Sequence, residues 1–288
     1  MKKLLTAILA LALVLGCAAC TPKKETPAPT PAASEKTITV GILEMNDAEA
    51  GKTYDSIIAA KLPAYVKVTP YNSLTTILAA VNGGKVDTIE IPRIVAEYLK
   101  TTDPKLTEVP SPSNEHSVFF RFAFKKDNTA DRDLLNNGLT TLTTNGTLAT
   151  LEEKYVTANV VDSSEVVLPK TDGAKTIKVG VTGDIPPMDY VSADGKPSGF
   201  NVALLAALGS ELKINFELVT IESDARLIAL EQGTVDMLFW IRSNNPEIDT
   251  ETAERYAVTT SYLKTNGCAL SNMSAEEIAA MIKEAENK

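Results

Sequence analysis

The sequence predicts an α/β protein of two lobes with a cleft between them, and three observations carry that expectation. Strand-like runs of β-branched residues alternate with segments of helical periodicity. The order β-α-β-α-β occurs twice, once from residue 37 and once from residue 175. At the same point in both successions the letters repeat. "LAAVNGGKVD" (78–87) lies without gaps on "LIALEQGTVD" (227–236), with Ala80/Ala229, Gly84/Gly233, Val86/Val235 and Asp87/Asp236 identical.

In the first succession "TITVGIL" (37–43) reads as a strand, "KTYDSIIAAKL" as a helix and "VKVTPY" as a strand. "SLTTILAAVNGG" reads as a helix ending on glycines. "KVDTIEI" is a strand, and "PRIVAEYLK" is a helix with Pro92 early, where a missing N–H costs nothing. In the second, "TIKVGVTG", "KINFELVTI" and "TVDMLFWI" are strands, and "GFNVALLAALGSEL" and "SDARLIALEQG" are helices, the latter with Ser223 or Asp224 as its cap. Parallel α/β sheets take ligands beyond the carboxyl ends of their strands, so two such lobes facing each other define a candidate site.

The N-terminus reads as a separate export signal. Lys2 and Lys3 precede an apolar run from Leu4 to Leu15, too short to span the ~30 Å of a bilayer core, and small residues follow. "VLGC" resembles a bacterial lipobox, which implies lipidation at Cys17, with Val14 and Gly16 in the apolar and small positions; Cys20 is the alternative. The signal peptide is then residues 1–16. Residues 17–36, rich in Pro, Thr, Ala and charge, form a lipid-anchored tether that cannot bury enough apolar surface to fold.

Without the signal, 26 basic residues stand against 37 acidic ones, a net charge near −11 that excludes nucleic acid as a partner. The cysteines offer neither a disulfide framework nor metal-ligand spacing, and Cys268 reads as a small buried apolar residue. No cofactor and no metal are expected. No further apolar run is long enough to cross a membrane.

Residues 175–262 resemble lobe 1 of the amino-acid type (family 3) extracellular solute-binding proteins of ABC transporters. The resemblance rests on "KVGVTGDIPPMDYVSADGKPSGFNVALLAAL", "LIALEQGTVD" and the turn into "VTTSY". Residues 37–116 resemble lobe 2 of the same family through "TVGILE", "LTTILAAVNGGKVDTIEIPRIVAEYL" and "PKLTEV". Residues 117–156 resemble the crossover strand and the return helices that end the family's chain and pack on lobe 1. The implied fold is a two-lobed periplasmic-binding-protein-like (type II) α/β fold joined by two crossover strands. Its parts stand in swapped order, as a circular permutation would leave them.

An 18-residue linker (157–174) would join the old termini, at ~3.3 Å per residue. Residues 263–288 would form the second crossover and a C-terminal helix returning to lobe 2. The alternative is a tandem of two truncated homologous domains.

The resemblance also implies a small polar, amino-acid-like ligand and an ABC permease as partner. The family's carboxylate-clamping Arg is replaced here by Arg242, with Ser243 beside it and Arg255 in second place. On an alternating strand Trp240 points the same way as Arg242, as a stacking wall. The alternatives are a surface charge or an interlobe salt bridge for Arg242 and ordinary packing for Trp240. The family's ammonium-binding Asp falls at Pro92, leaving Glu90, of the same strand parity, as candidate; buried there, its carboxylate needs a cation. Asp184, Met188 and Tyr190 lie in the hairpin where the family presents polar and aromatic groups, and Asn46 and Asp47 stand where its lobe-2 loop donates N–H groups.

These departures leave a modified, decarboxylated or cationic ligand open beside a plain α-amino acid. No catalytic set is visible, and His116 has no nucleophile motif beside it. The expected activity is therefore binding by hinge closure, outside the cytoplasmic membrane and anchored to it through the N-terminal lipid. The alternatives are an exported cleft enzyme resembling cyclohexadienyl dehydratases, with Glu90 as its base, and a sensor without a transport role.

Overall fold

The computed structural model describes residues 37–43, 63–111, 114, 117–159, 166–243, 247 and 250–286. Two open sheets share the molecule. In the first, parallel strands β1 (Ile38–Leu43), β2 (Val66–Tyr71) and β3 (Thr88–Pro92) stand in the order β2-β1-β3. In the second, parallel strands β6 (Thr176–Val181), β10 (Asn215–Thr220) and β11 (Met237–Ser243) stand in the order β10-β6-β11. Each trio is completed by a long antiparallel strand: β13 (Leu263–Ser271) beside β3, and β5 (Ser117–Lys125) beside β11.

The two sheets join through β13. Its residues Leu263 to Asn266 pair with β5, and from Gly267 onward it pairs with β3 instead. Short β4 (Thr107–Val109) lines the far part of β13, and β12 (Tyr256–Val258) pairs with β5.

The repeat in the sequence marks the same device in both sheets. Asp87 accepts from the backbone N–H and hydroxyl of Thr39 in β1, at 2.7 and 2.6 Å. Asp236 accepts from the backbone N–H of Lys178 in β6 at 2.9 Å. Each aspartate thereby pins the strand following its helix to the first strand of its sheet. The glycines ahead of them, Gly84 and Gly233, have φ of 65° and 79°, the left-handed conformation that ends a helix most cheaply when Cβ is absent.

Helix α1 (Leu74–Asn82) packs against β1, β2 and β3 through Leu74, Ile77, Ala80 and Val81. Ser73 caps it, accepting from Thr76 N at 3.2 Å. Helix α2 (Arg93–Thr102) follows β3 directly, with Pro92 at its cap. Helices α3 (Thr129–Thr144) and α4 (Thr147–Glu152) pack on α5 (Phe200–Leu212). Helix α6 (Arg226–Gln232) packs on β11, and α7 (Thr250–Arg255) precedes β12. The C-terminal helix α8 (Ala275–Glu286) sets Ile278, Met281 and Ile282 against β1, β4 and β13.

The crossover strand β5 is deeply buried. Phe120, Phe122 and Phe124 of β5 are fully buried, each contributing roughly 2–3 kcal/mol of burial. Tyr262 stacks on Phe122 at 4.5 Å and meets Phe239 edge-on. One apolar cluster runs unbroken from Ile77 and Ile89 of the first sheet through these aromatics to Ile177 and Leu204 of the second.

Three sequence expectations differ from the structure. Ser223 does not cap α6; it is buried in a 3-10 turn, Ser223–Ala225, and Ala225 stands at the helix start. A shift of register between Leu238 and Ile241 puts an extra residue into β11, so alternation cannot carry side-chain direction from Trp240 to Arg242. The small sheet of β7 (Asp184–Ile185), β8 (Asp189–Val191) and β9 (Pro197–Ser198) stands inside what reads as one turn and hairpin. The helix expected over 52–62 lies outside the described residues, as do Asn46, Asp47, His116, Cys17 and Cys20.

Gly199 opens α5 at φ 104°, and a Cβ there would stand 2.4 Å from the carbonyl oxygen of Met188. Gly199→Ala is expected to lower stability by about 3 kcal/mol, measured by urea unfolding.

Candidate functional site

All six parallel strands point their carboxyl ends at the junction between the sheets. Pro92, at the end of β3, pairs with Gly267; Ser243, at the end of β11, pairs with Phe119, two residues from the Ser117–Asn266 pair. Leu43, Tyr71 and Pro92 therefore face Val181, Thr220 and Ser243 across one gap. Helix and loop starts converge there from both sides, the arrangement in which α/β proteins receive ligands.

On one side the gap is bounded by the hairpin of β7 and β8. Buried Asp189 sets its shape by accepting from Thr182 Oγ1 (3.1 Å), Gly183 N (3.2 Å) and Asn201 Nδ2 (2.7 Å). The Pro186–Pro187 peptide is cis. The carbonyls of Pro187 and Met188 accept from Phe200 N and Asn201 N at 3.0 and 2.8 Å, meeting the otherwise unpaired start of α5. Gly199 permits that approach. Met188 and Tyr190 are packed into the core, 0% and 8% exposed.

Asp184 is the sequence candidate that reaches across. Its Oδ2 accepts from the backbone N–H of Leu74, the first residue of α1 in the other sheet's lobe, at 3.2 Å. Burial raises its carboxyl above the ordinary aspartate range; the bonds from Leu74 and Thr182 oppose the rise, and the charges of Asp189 and Glu222 add to it. The carboxylate is thus held partly out of water by the approach of the two lobes.

Glu90 stands in β3 between Ile42 and Ala269. Ser111 Oγ donates to its Oε1 at 2.5 Å. The side chain lines a cavity of ≈ 210 Å³ with Ile38, Val40, Val66, Ile278 and Ile282, on the sheet face that α8 covers. A hydroxyl, rather than a cation, is the partner the structure gives it among the described residues. The backbones of Trp240, Arg242 and Ser243 lie in the last turn-side stretch of β11, with Arg242 opposite Phe120. Arg255 donates to Glu231 Oε1 at 3.3 Å and lies over the Tyr256 ring, at the surface.

One charged residue escaped the sequence reading. Arg226, at the start of α6 just past β10, is 1% exposed; it donates through Nη2 to the carbonyl of Phe239, and its Nε has no partner. Burial lowers its basicity, and the nearby Asp189 carboxylate works against that. The signal was present in "RLIAL": residues 226, 229 and 230 form one helical stripe, and Arg226 occupies it together with apolar Ala229 and Leu230.

Cys268, on β13 beside Ile91, is fully buried, and burial pushes its thiol up to about 12, too high for a nucleophile at neutral pH. Among the described residues no group of acidic, His or Cys side chains could hold a metal ion, and no helix is long and apolar enough to cross a membrane.

Two lobes, each a three-stranded parallel sheet closed by a crossover strand from the other, make the periplasmic-binding-protein-like two-lobed fold. Residues 177–282 match the family described as bacterial extracellular solute-binding proteins, family 3, so the resemblance to that family is shown over this stretch. Many solved structures are similar to the chain, three among them as follows. The ligand-binding component of an ABC-type import system from Staphylococcus aureus, with zinc bound, has 12% identity and a TM-score of 0.45, over 87% of this chain and 71% of that one. A putative L-cystine ABC transporter from Listeria monocytogenes has 14% identity and a TM-score of 0.41, over 88% and 89%. The probable amino-acid ABC transporter extracellular-binding protein ytmK from Bacillus subtilis has 12% identity and a TM-score of 0.41, over 87% and 90%. At such scores these likenesses carry no weight for the ligand, and the fold rests on the strand order. No curated protein matches.

Asp189→Ala would take from three donors the acceptor they share and from buried Arg226 a nearby carboxylate that favours its charge. It is expected to cost about 3 kcal/mol in urea unfolding, against a smaller loss for Asp189→Asn.

Proposed function

We propose that the chain is the exported receptor of an ABC importer, which takes up a small polar, amino-acid-like ligand between its lobes and delivers it to a permease. The observation that carries this reading is the convergence of six parallel-strand carboxyl ends on one gap spanned by two crossover segments. Lobes joined in this way can rotate about the crossovers with little change inside either sheet, and a ligand contacting both lobes shifts the balance toward closure. The match of residues 177–282 to an extracellular family supports export. Lipidation at Cys17 would hold the protein at the outer face of the membrane.

The order of parts supports circular permutation. The family match begins at β6, in the middle of the chain, and runs through β13 into α8; ahead of it lie β1 to β4 of the other lobe, followed by β5, α3 and α4, which complete the lobe that β6 opens. Each lobe lacks a fourth strand until the other half of the chain supplies it, which tells against two self-sufficient tandem domains.

In this reading Asp184, Arg242 and Ser243 border the ligand from lobe 1, and Asn46 and Asp47 belong to the lobe-2 side, while the Glu90 side chain faces the cavity beneath α8. Thermal-shift screening of the full chain against amino acids, polyamines and short peptides is expected to yield at least one class that raises the melting temperature by several degrees. Arg242→Ala is expected to weaken that ligand about tenfold or more by calorimetry; unchanged affinity removes Arg242 from the site.

A further inference from the structure

We propose that Asp184 is an interlobe tie: its carboxylate, carried on the lobe-1 hairpin, holds the first N–H of helix α1 in lobe 2 and biases the hinge toward the closed arrangement. The inference rests on the hinged two-lobe reading above and adds a device built from the chain's own residues.

Four features support it. The bond joins residues 110 positions apart, from Asp184 Oδ2 to Leu74 N at 3.2 Å. Those two residues stand in different lobes, whose sheets otherwise communicate through the crossover strands. Leu74 N is one of the helix-start donors that no intrahelical carbonyl can satisfy, and Ser73 Oγ meets a different one, Thr76 N. Opening the hinge returns Leu74 N and the carboxylate to water, exchanging a charge-assisted bond for weaker ones.

Helix α1 also presents the positive end of its macrodipole to the carboxylate. Its first turn carries no acidic residue of its own, so Asp184 supplies from the other lobe the negative charge usually found there. The support of Asp184 is rigid. It pairs with Tyr190 across the hairpin, whose turn Asp189 and Asn201 fix from within the core. An acceptor held in place loses little freedom when the bond forms.

The test compares the full chain with Asp184→Ala, Asp184→Asn and Leu74→Pro, with no ligand added. Leu74→Pro removes the donor from the opposite side. Proline suits the first helical position, and the preceding Ser73 is extended at φ −150°, ψ 155°, as a residue before proline prefers. Urea unfolding first establishes that each variant is folded.

Hydrogen exchange then reads the segment 71–80, and small-angle scattering reads the separation of the lobes. In Asp184→Ala the exchange of the Leu74 amide is expected to rise about tenfold, and lobe separation to increase in both Asp184→Ala and Leu74→Pro; Asp184→Asn, which keeps an acceptor without its charge, falls between. Unchanged Leu74 exchange in Asp184→Ala overturns the proposal. So does an increased separation in Asp184→Ala that Leu74→Pro does not reproduce. Because ligand is absent from this measurement and essential to the screen above, the tie and the receptor reading can fail independently.

Discussion

The rest of the structure depends on the exchange of strands at the crossover. Neither parallel trio is a finished sheet: β3 and β11 would each present an open edge if β13 and β5 did not arrive from the other half of the chain. That requirement ties the lobes together, fixes which strand ends face each other, and puts the change of partner between Asn266 and Gly267. It also explains where the aromatic mass lies. Phe120, Phe122, Phe239 and Tyr262 pack around the incoming strands, so the crossover is anchored firmly to lobe 1 while only a short stretch of chain passes on to lobe 2.

The two lobes solve one problem twice. A helix must end, reverse, and hand the chain to a buried parallel strand. In both lobes a left-handed glycine makes the reversal, and an aspartate three residues later grips the backbone of the first strand. Where the lobes differ, the difference concerns the gap. Lobe 1 inserts the hairpin carrying Asp184 directly after β6, and its rigidity comes from a buried polar knot at Asp189. Buried Arg226 offsets the charge of that knot, and each of the two would be costly without the other.

Among the described residues the sequence showed most strands and helices of both successions closely, because their apolar periods are clear and several of their ends carry glycine or, at Ser73, a capping serine. The boundaries of β1, β2, α1 and α5 differ by a residue or two at most from those read off the letters. The site was harder to read. Alternation along β11 gives no hint of an extra residue between Leu238 and Ile241, because both fall among the same buried apolar side chains with or without a bulge. Met188 and Tyr190 sit where a hairpin would present them to a ligand, yet both side chains are packed into the core. The reach of Asp184 to Leu74 depends on how two distant lobes approach, which no local pattern encodes. Arg226 was legible in principle, as a cation on a buried helical stripe, and the carboxylate of Asp189 that favours its charge lies earlier in the same succession, on the hairpin.

The central claim is that two lobes move as bodies about the crossover and close on a ligand. Spin labels placed at Lys85 in lobe 2 and Asp194 in lobe 1, both exposed, measure that directly by electron–electron distance spectroscopy, with Cys17 and Cys20 replaced by serine and buried Cys268 left in place. A shorter, narrower distance distribution is expected when the compound giving the largest thermal shift is added. A distribution that stays the same at saturating compound would contradict that claim.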